Sequence, residues 1–199
     1  GKPKGGARGV NKASIFYRGW TRAKKERVTR WEQQAVDPWD TACKGSGAET
    51  AAAERAADAE IAVARGLHAG AVLWDWQAFF DNITLEMIVF EAVLESFPMD
   101  ILALAVPIHF APRLVTLRNW CANFCQVKRS LLTGCGLAVA LCRLLTKRRA
   151  RNLVAQNREL WYFTHVDDSV QQCMGDCEAL ATNLVRGAVG FAAMAAELN

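Results

Sequence analysis

The stretch LWYFTHVDDSVQQC, residues 160–173, sets the tightest limit on what this chain can fold into. Five of its first seven residues are aromatic or β-branched, and two acids, Asp167 and Asp168, follow side by side. Such side chains favour a pleated, half-buried surface, so Trp161 to Val166 is predicted as a strand, the acids as a tight turn, and the residues from Ser169 as a second strand. The product is a β-hairpin with carboxylates at its tip. Neighbouring acids in a strand point to opposite faces and repel, and solubility alone is a poor reason to set them after a hydrophobic run. A divalent cation relieves that repulsion. A hard ion such as Mg²⁺ takes one or two carboxylates completed by phosphate and water. One hairpin does not complete such a site, so a partner carboxylate is needed from elsewhere.

AVLWDWQAFFDNI, residues 71–83, supplies the candidate. Ala71 to Trp74 is wholly apolar, the mark of a strand buried on both faces. Asp75 follows at the strand end, where burying an unpaired carboxylate would cost on the order of several kcal/mol. A metal or an arginine must compensate, which makes Asp75 the expected partner of the hairpin acids. Asn82 or Thr84 then caps a helix, LEMIVFEAVLESF, ended by Pro98 and apolar around most of its girth, so it is predicted to lie under the sheet.

At 199 residues and 52% apolar content the chain is a packed globule. It has no charge-free run long enough to span a bilayer, and GKPKGGARG lacks an apolar signal core, so an intracellular protein, nuclear or cytoplasmic, with no membrane span is expected. Seven cysteines without a CxxC pair point to buried free thiols in a reducing compartment, although Cys121/Cys125 and Cys173/Cys177 carry a spacing that two helices could turn into a zinc site. Charge is uneven. Residues 1–30 hold ten Lys/Arg against Glu26, while the formal net charge is only +4. A basic flank and an acidic remainder suit a protein that meets phosphate outside and holds cations inside. A second cluster, Lys147, Arg148, Arg149 and Arg151, is expected to close a helix, as a phosphate contact or as cations at a helix C-terminus.

The remaining elements follow in order. Residues 13–35 interleave aromatics with bases, as a nucleic-acid surface does or as a helix docked on a core. Residues 48–64 are an Ala-rich helix. MDILALAVPIHF is a helix kinked or ended by Pro107, and 113–129 is predicted as two strands with a turn near Asn119–Asn123. Thr133-Gly134-Cys135-Gly136 is a glycine loop opening an apolar helix over 137–150, and a last helix covers 177–197.

With these elements in this order, the chain resembles the palm of reverse transcriptases, particularly those of non-LTR (LINE-type) retroelements and their relatives, over roughly residues 40–199. DWQAFFDNI is similar to the first palm motif, RSLLTGCGLAVAL to the second, and FTHVDD to the third, the aromatic-x-Asp-Asp hairpin. KGSGAETAAAERAADAEIA occupies the place of the loop and helix that precede the first motif. The resemblance implies an α+β fold, a small antiparallel sheet of strands 71–74, 161–166 and 169–173 backed by helices 84–97, 137–150 and 177–197. It implies residues 1–39 as basic arm and partial fingers, 40–70 as the preceding loop and helix, and 71–199 as palm, with a fingers-like segment near 98–130. The family continues beyond this point to a Lys-bearing motif, a primer grip and a thumb, so the expectation is a palm without a thumb, one piece of a larger polymerase.

The function implied is RNA-directed DNA synthesis by two-metal catalysis on Mg²⁺, with Mn²⁺ as the substitute. Asp75 and Asp167 would bridge the ions, with Asp168 in a lesser role, which needs Asp75 and Asp167 within about 10 Å of each other. Phe80 stands where the family's ring crowds the sugar 2′-carbon, Thr133 and Gly134 where the loop meets the incoming nucleotide, and His165 beside the primer terminus. Three positions depart from the pattern: Thr133 replaces Gln, Gly136 replaces Pro, and His165 replaces Tyr or Ala. Implied partners are an RNA template, a DNA primer, deoxynucleoside triphosphates, and further polymerase or endonuclease domains of the same polyprotein. Two alternatives stand beside this: an RNA-directed RNA polymerase, which shares the palm, and a non-catalytic nucleic-acid-binding relic.

Overall fold

A computed structural model of the chain describes residues 12–43, 45–117 and 119–198, and it is α+β. Helix α1 (Ile15–Ala35) is opened by Ser14, whose hydroxyl accepts the Tyr17 N–H, and its inner stripe of Tyr17, Thr21, Val28, Trp31 and Ala35 is buried. The docked-helix expectation for 13–35 therefore holds, while Arg18, Arg22, Lys25 and Arg30 line its outer face. The Ala-rich helix is α2 (Ala48–Ala64), as its composition predicts. Strand β1 (His68–Asp75) leads into a one-turn α3 (Phe79–Asn82), then α4 (Leu85–Leu94) and α5 (Met99–His109). Thr84, not Asn82, caps α4 by accepting the Met87 N–H at 3.3 Å. Pro107 sits inside α5, which runs on to His109. The predicted ribbon follows as β2 (Thr116–Leu117) and β3 (Trp120–Cys121). Helix α6 (Ala138–Gln156) outlasts its predicted end at 150 by six residues, and β4 (Trp161–His165), β5 (Asp168–Gly175) and α7 (Cys177–Ala196) complete the chain.

The main sheet is antiparallel with order β1-β5-β4. β1 and β5 are longer than the sequence predicts, while β4 ends one residue sooner, at His165; the hairpin turn is Val166–Asp167, so Asp168 already belongs to β5. β1 is an edge strand, which corrects the expectation of burial on both faces: Leu73 is 75% exposed. Its other face, through Gly70 and Trp74, packs on α7, where Leu184 fills the space at Gly70 and Phe191 stacks on Trp74 at 4.4 Å. The helix α4 is likewise not under the sheet. It packs on α5 and α6 and leaves Phe90, Val93 and Leu94 exposed, because α7 covers one face of the three-stranded sheet and α2 packs on β1 and β5 from the other.

The larger core joins α1, α3, α4, α5 and the first half of α6, with Ile88, Phe97, Ile101, Leu141 and Leu144 all but inaccessible. A smaller cluster of Leu153, Tyr162, Phe191 and Met194 lies between sheet, α6 and α7. α7 is long and apolar enough to cross a membrane, yet Gly187, Phe191 and Met194 are its buried residues and face β5, β1 and α6. Cys135, Cys142 and Cys173 are buried free thiols as expected. Cys121, Cys125 and Cys177 are exposed, since 121–125 is ribbon and 173–177 passes from strand to helix.

The basic cluster in α6 does not end the helix, and its cations are paired within the fold. Arg148 and Arg149 both hold Glu91, Lys147 holds Glu95 at 2.7 Å, and Arg151 holds Asp37 and Glu95. Arg143, one turn earlier, is paired with Glu32 and Asp40. A cation this deep needs a carboxylate, and α1, α4 and the loop at 37–40 bring them.

Two consequences are measurable. A methyl group at Gly187 would overlap Leu160 Cδ1, so Gly187→Ala should destabilise by about 1–3 kcal/mol in urea titration, reversing the roughly 1 kcal/mol gain that Gly→Ala gives in an open helix. His109, fully buried, accepts the Leu132 N–H at Nδ1, and burial, with Arg113 adding to it, pushes its pKa down to about 4. The unfolded chain takes up this proton below about pH 6.5 and the folded chain refuses it until about pH 4. Stability is therefore complete above pH 6.5 and falls through that window as pH drops, by up to roughly 3 kcal/mol. Unfolding free energies between pH 7 and 5 should show the slope, and His109→Gln should flatten it.

Candidate active site

Side chains alternate along each strand, so the register decides which of them meet. Asp75 pairs with Asp168, and Asp168 with His165, so the three form one row across the end of the sheet, on the face shared by Leu73, Val170 and Phe163. Directly opposed residues have Cβ atoms about 5 Å apart, which puts two carboxylates side by side. Among the described residues no cation pairs with either. Like charges opposed in this way are destabilising. Asp75 is exposed, which corrects the expectation of a buried carboxylate at the strand end; what sets this acid apart is the facing Asp168.

Asp167 lies in the two-residue turn, one position before the row, half-buried and close enough to Cys142 of α6 to raise that thiol's pKa, behind the larger effect of burial. One peptide step from Asp168 keeps its Cα within about 10 Å of that of Asp75. The turn is strained. Val166 has φ of 61°, a left-handed conformation that a β-branched side chain resists, whereas two-residue hairpin turns ordinarily use Asn-Gly. Ala78 (φ 51°), just after Asp75, and Ser130 (φ 130°), whose hydroxyl donates to Asp81, are also left-handed. Strain of about 1–3 kcal/mol at each such position collects around functional sites.

His165 is held from outside the sheet. Thr41 donates its hydroxyl to the Thr164 carbonyl at 2.9 Å, and the same hydroxyl meets His165 Nδ1 at 3.2 Å, which orients the imidazole. Arg55 of α2 lies over the Phe163 ring at 5.2 Å. Arg55, Leu73, Asp75, His165 and Asp168 line a cavity of about 530 Å³ on this face. Asp75 also stands on the rim of a second cavity, about 660 Å³, whose walls are Trp74, Trp76, Phe79 and Phe191.

The other expected site residues lie apart from the row. Phe79 is buried, while Phe80 is half-buried against the core, edge-on to Phe79, with its carbonyl accepting the Leu131 N–H. Thr133 and Gly134 line a third cavity of about 510 Å³ together with Lys12 and Arg18. Gly134 has φ of +80°, which explains the glycine. Neither cavity that Asp75 lines includes Phe80, Thr133 or Gly134.

Thr41 and Arg55 escape the sequence reading, because each meets its partner more than a hundred residues along the chain and no local pattern marks it. Among the described residues no group of three or more His, Cys, Asp or Glu converges as metal ligands. The donors on offer are the Asp75–Asp168 pair with Asp167 beside it. Two carboxylates, with the other positions left to phosphate and water, fit a Mg²⁺ ion. No model of a known protein family matches the chain, and no curated protein matches it.

Proposed function

We propose that the end of the sheet is the nucleotidyl-transfer site of a reverse-transcriptase-like palm, acting in RNA-directed DNA synthesis. The observation that carries this reading is the register: Asp75 and Asp168 are opposed across β1 and β5, neither has an ion pair among the described residues, and Asp167 is one residue away in a strained turn. Asp75 and Asp167 would hold the Mg²⁺ ions with Asp168 at their side, and bound metal would supply charge stabilisation at the reacting phosphate and a more acidic primer hydroxyl. The protein's own part is to fix the acids on paired strands and to present the His165 imidazole beside them through Thr41. Lys12, Arg18 and the open Gly134 loop suit the phosphates of a nucleotide or template. The preference for DNA over RNA as product rests on the resemblance at Phe80 alone, since that ring packs on the core and lines neither cavity at Asp75.

Primer extension tests it. With a poly-ribonucleotide template, a DNA primer and deoxynucleoside triphosphates, the protein should add nucleotides with Mg²⁺ or Mn²⁺ and stop when the metal is chelated. Incorporation of ribonucleotides instead would favour an RNA-directed RNA polymerase. A second reading, a nucleic-acid-binding module with idle acids, draws on the lack of a converged ligand group. It would be adopted if no metal-dependent extension occurs while nucleic acid still binds.

A further inference from the structure

The β2–β3 ribbon is the least explained part of the surface. Trp120 is 81% and Phe124 72% exposed, on a two-stranded element whose strands pair chiefly with each other. Such a ribbon is marginal alone. Its base is nevertheless fixed: Arg113 bridges to Cys125 and its guanidinium donates to the Ser130 hydroxyl and to the Ser130 and His109 carbonyls, at 3.0–3.1 Å. Anchored in this way, the ribbon holds two large rings in water, where they forgo the stabilisation of burial.

The segment itself is one-sided in charge, with Asp81 reaching its base as the acceptor of the Ser130 hydroxyl. Between Asp100 and Glu159 the sequence holds no acid. The bases of α6 take their partners from other elements, but Lys128 and Arg129 are exposed and have no ion pair among the described residues. Asn119 and Asn123 are interleaved with the rings. Exposed aromatic faces, unpaired cations and amides together match the bases, phosphates and base edges of an unpaired strand. A bilayer interface would use the rings and cations but not the amides.

We propose that this ribbon docks single-stranded nucleic acid, with bases stacked on Trp120 and Phe124 and phosphates against Lys128 and Arg129. The inference goes beyond the catalytic reading of the sheet and stands without it.

The test is anisotropy of a labelled single-stranded oligoribonucleotide of about 15 nucleotides, with the matching duplex as control. Trp120→Ala and Phe124→Ala should each weaken single-strand binding about tenfold at unchanged salt slope, and Trp120→Tyr should restore most of it. Lys128→Gln should lower the slope of log affinity against log salt by about 1. Because both rings are exposed, melting temperatures should stay with the wild type. Asp75→Asn should bind the strand as the wild type does, so a failure of catalysis and a failure of docking are told apart. Wild-type affinity in the Trp120→Ala/Phe124→Ala double variant would overturn the proposal. So would losing only self-association in light scattering, or only binding to anionic phosphatidylserine vesicles.

Discussion

Asp75→Asn is expected to lower metal-dependent nucleotide addition by about a thousandfold or more while leaving the fold as stable as before, or slightly more so. Taking one charge from a metal pair weakens metal affinity and the activation of the nucleophile together, and several kcal/mol of lost transition-state stabilisation correspond to about three powers of ten. The stability half of the expectation comes from the register. Asp75 and Asp168 face each other with no ion pair to either among the described residues, so neutralising one removes a cross-strand repulsion of up to about 1 kcal/mol. A substitution that raises stability and abolishes activity is the behaviour of a site kept for function. Asp167→Asn should match Asp75→Asn, and Asp168→Asn should lose less. The reverse ranking would move the metal pair to the opposed acids of the two strands. Single-turnover primer extension with melting curves on the same preparations measures both halves, and wild-type rates in Asp75→Asn would end the catalytic reading.

The second large effect is on stability alone. Glu91 is 0% exposed and accepts Arg148 at Nη2 (2.7 Å) and Nε (3.1 Å) and Arg149 at Nη1 (2.7 Å). Glu91→Ala strips the carboxylate from two guanidinium groups, one of them 9% exposed, and leaves α4 with a hole against α6. Breaking a buried pair from one side costs about 3–5 kcal/mol, because the remaining charge stays desolvated. In a domain of this size that is a fall of roughly 10 °C in melting temperature. Glu91→Gln, which keeps the shape, should recover only part of it. By contrast, Arg27 and Asp100 are paired near the surface with about half of each side chain in water, so Arg27→Ala should cost far less than Glu91→Ala. Similar losses for Glu91→Ala and Arg27→Ala would mean that the network around α6 does not hold the two halves of the fold together.

Much of the local structure is legible in the chain itself. The run of β-branched and aromatic residues before Asp167 makes a strand wherever it packs, the alanines of 48–64 make a helix, and Thr84 and Asp176 cap helices by hydrogen bonds reaching three residues ahead. Placing Asp75 at a strand end and Asp167–Asp168 at a hairpin tip needs nothing beyond such patterns. Pairing does. That Asp75 stands opposite Asp168, and that His165 completes the row, follows from the register of β1 on β5 and of β5 on β4. The register is fixed by long-range contacts such as α7 on Gly70 and Trp74, and a slip of one residue would turn the row to the other face.

Tertiary structure alone also decides what a charge means. Lys147, Arg148, Arg149 and Arg151 form a basic cluster by sequence, as Arg18, Arg22 and Lys25 do. The first group is consumed by Glu91, Glu95 and Asp37 from more than fifty residues away, while the second stays on an outer helix face. The same holds for the apolar run 71–74, which becomes an edge strand because β5 pairs with it on one side and no described strand pairs with it on the other. Local sequence determines the conformation of a segment through propensities and caps that act within a few residues. Burial and electrostatic partnership depend on which distant segments arrive beside it, and those appear only once the chain has folded.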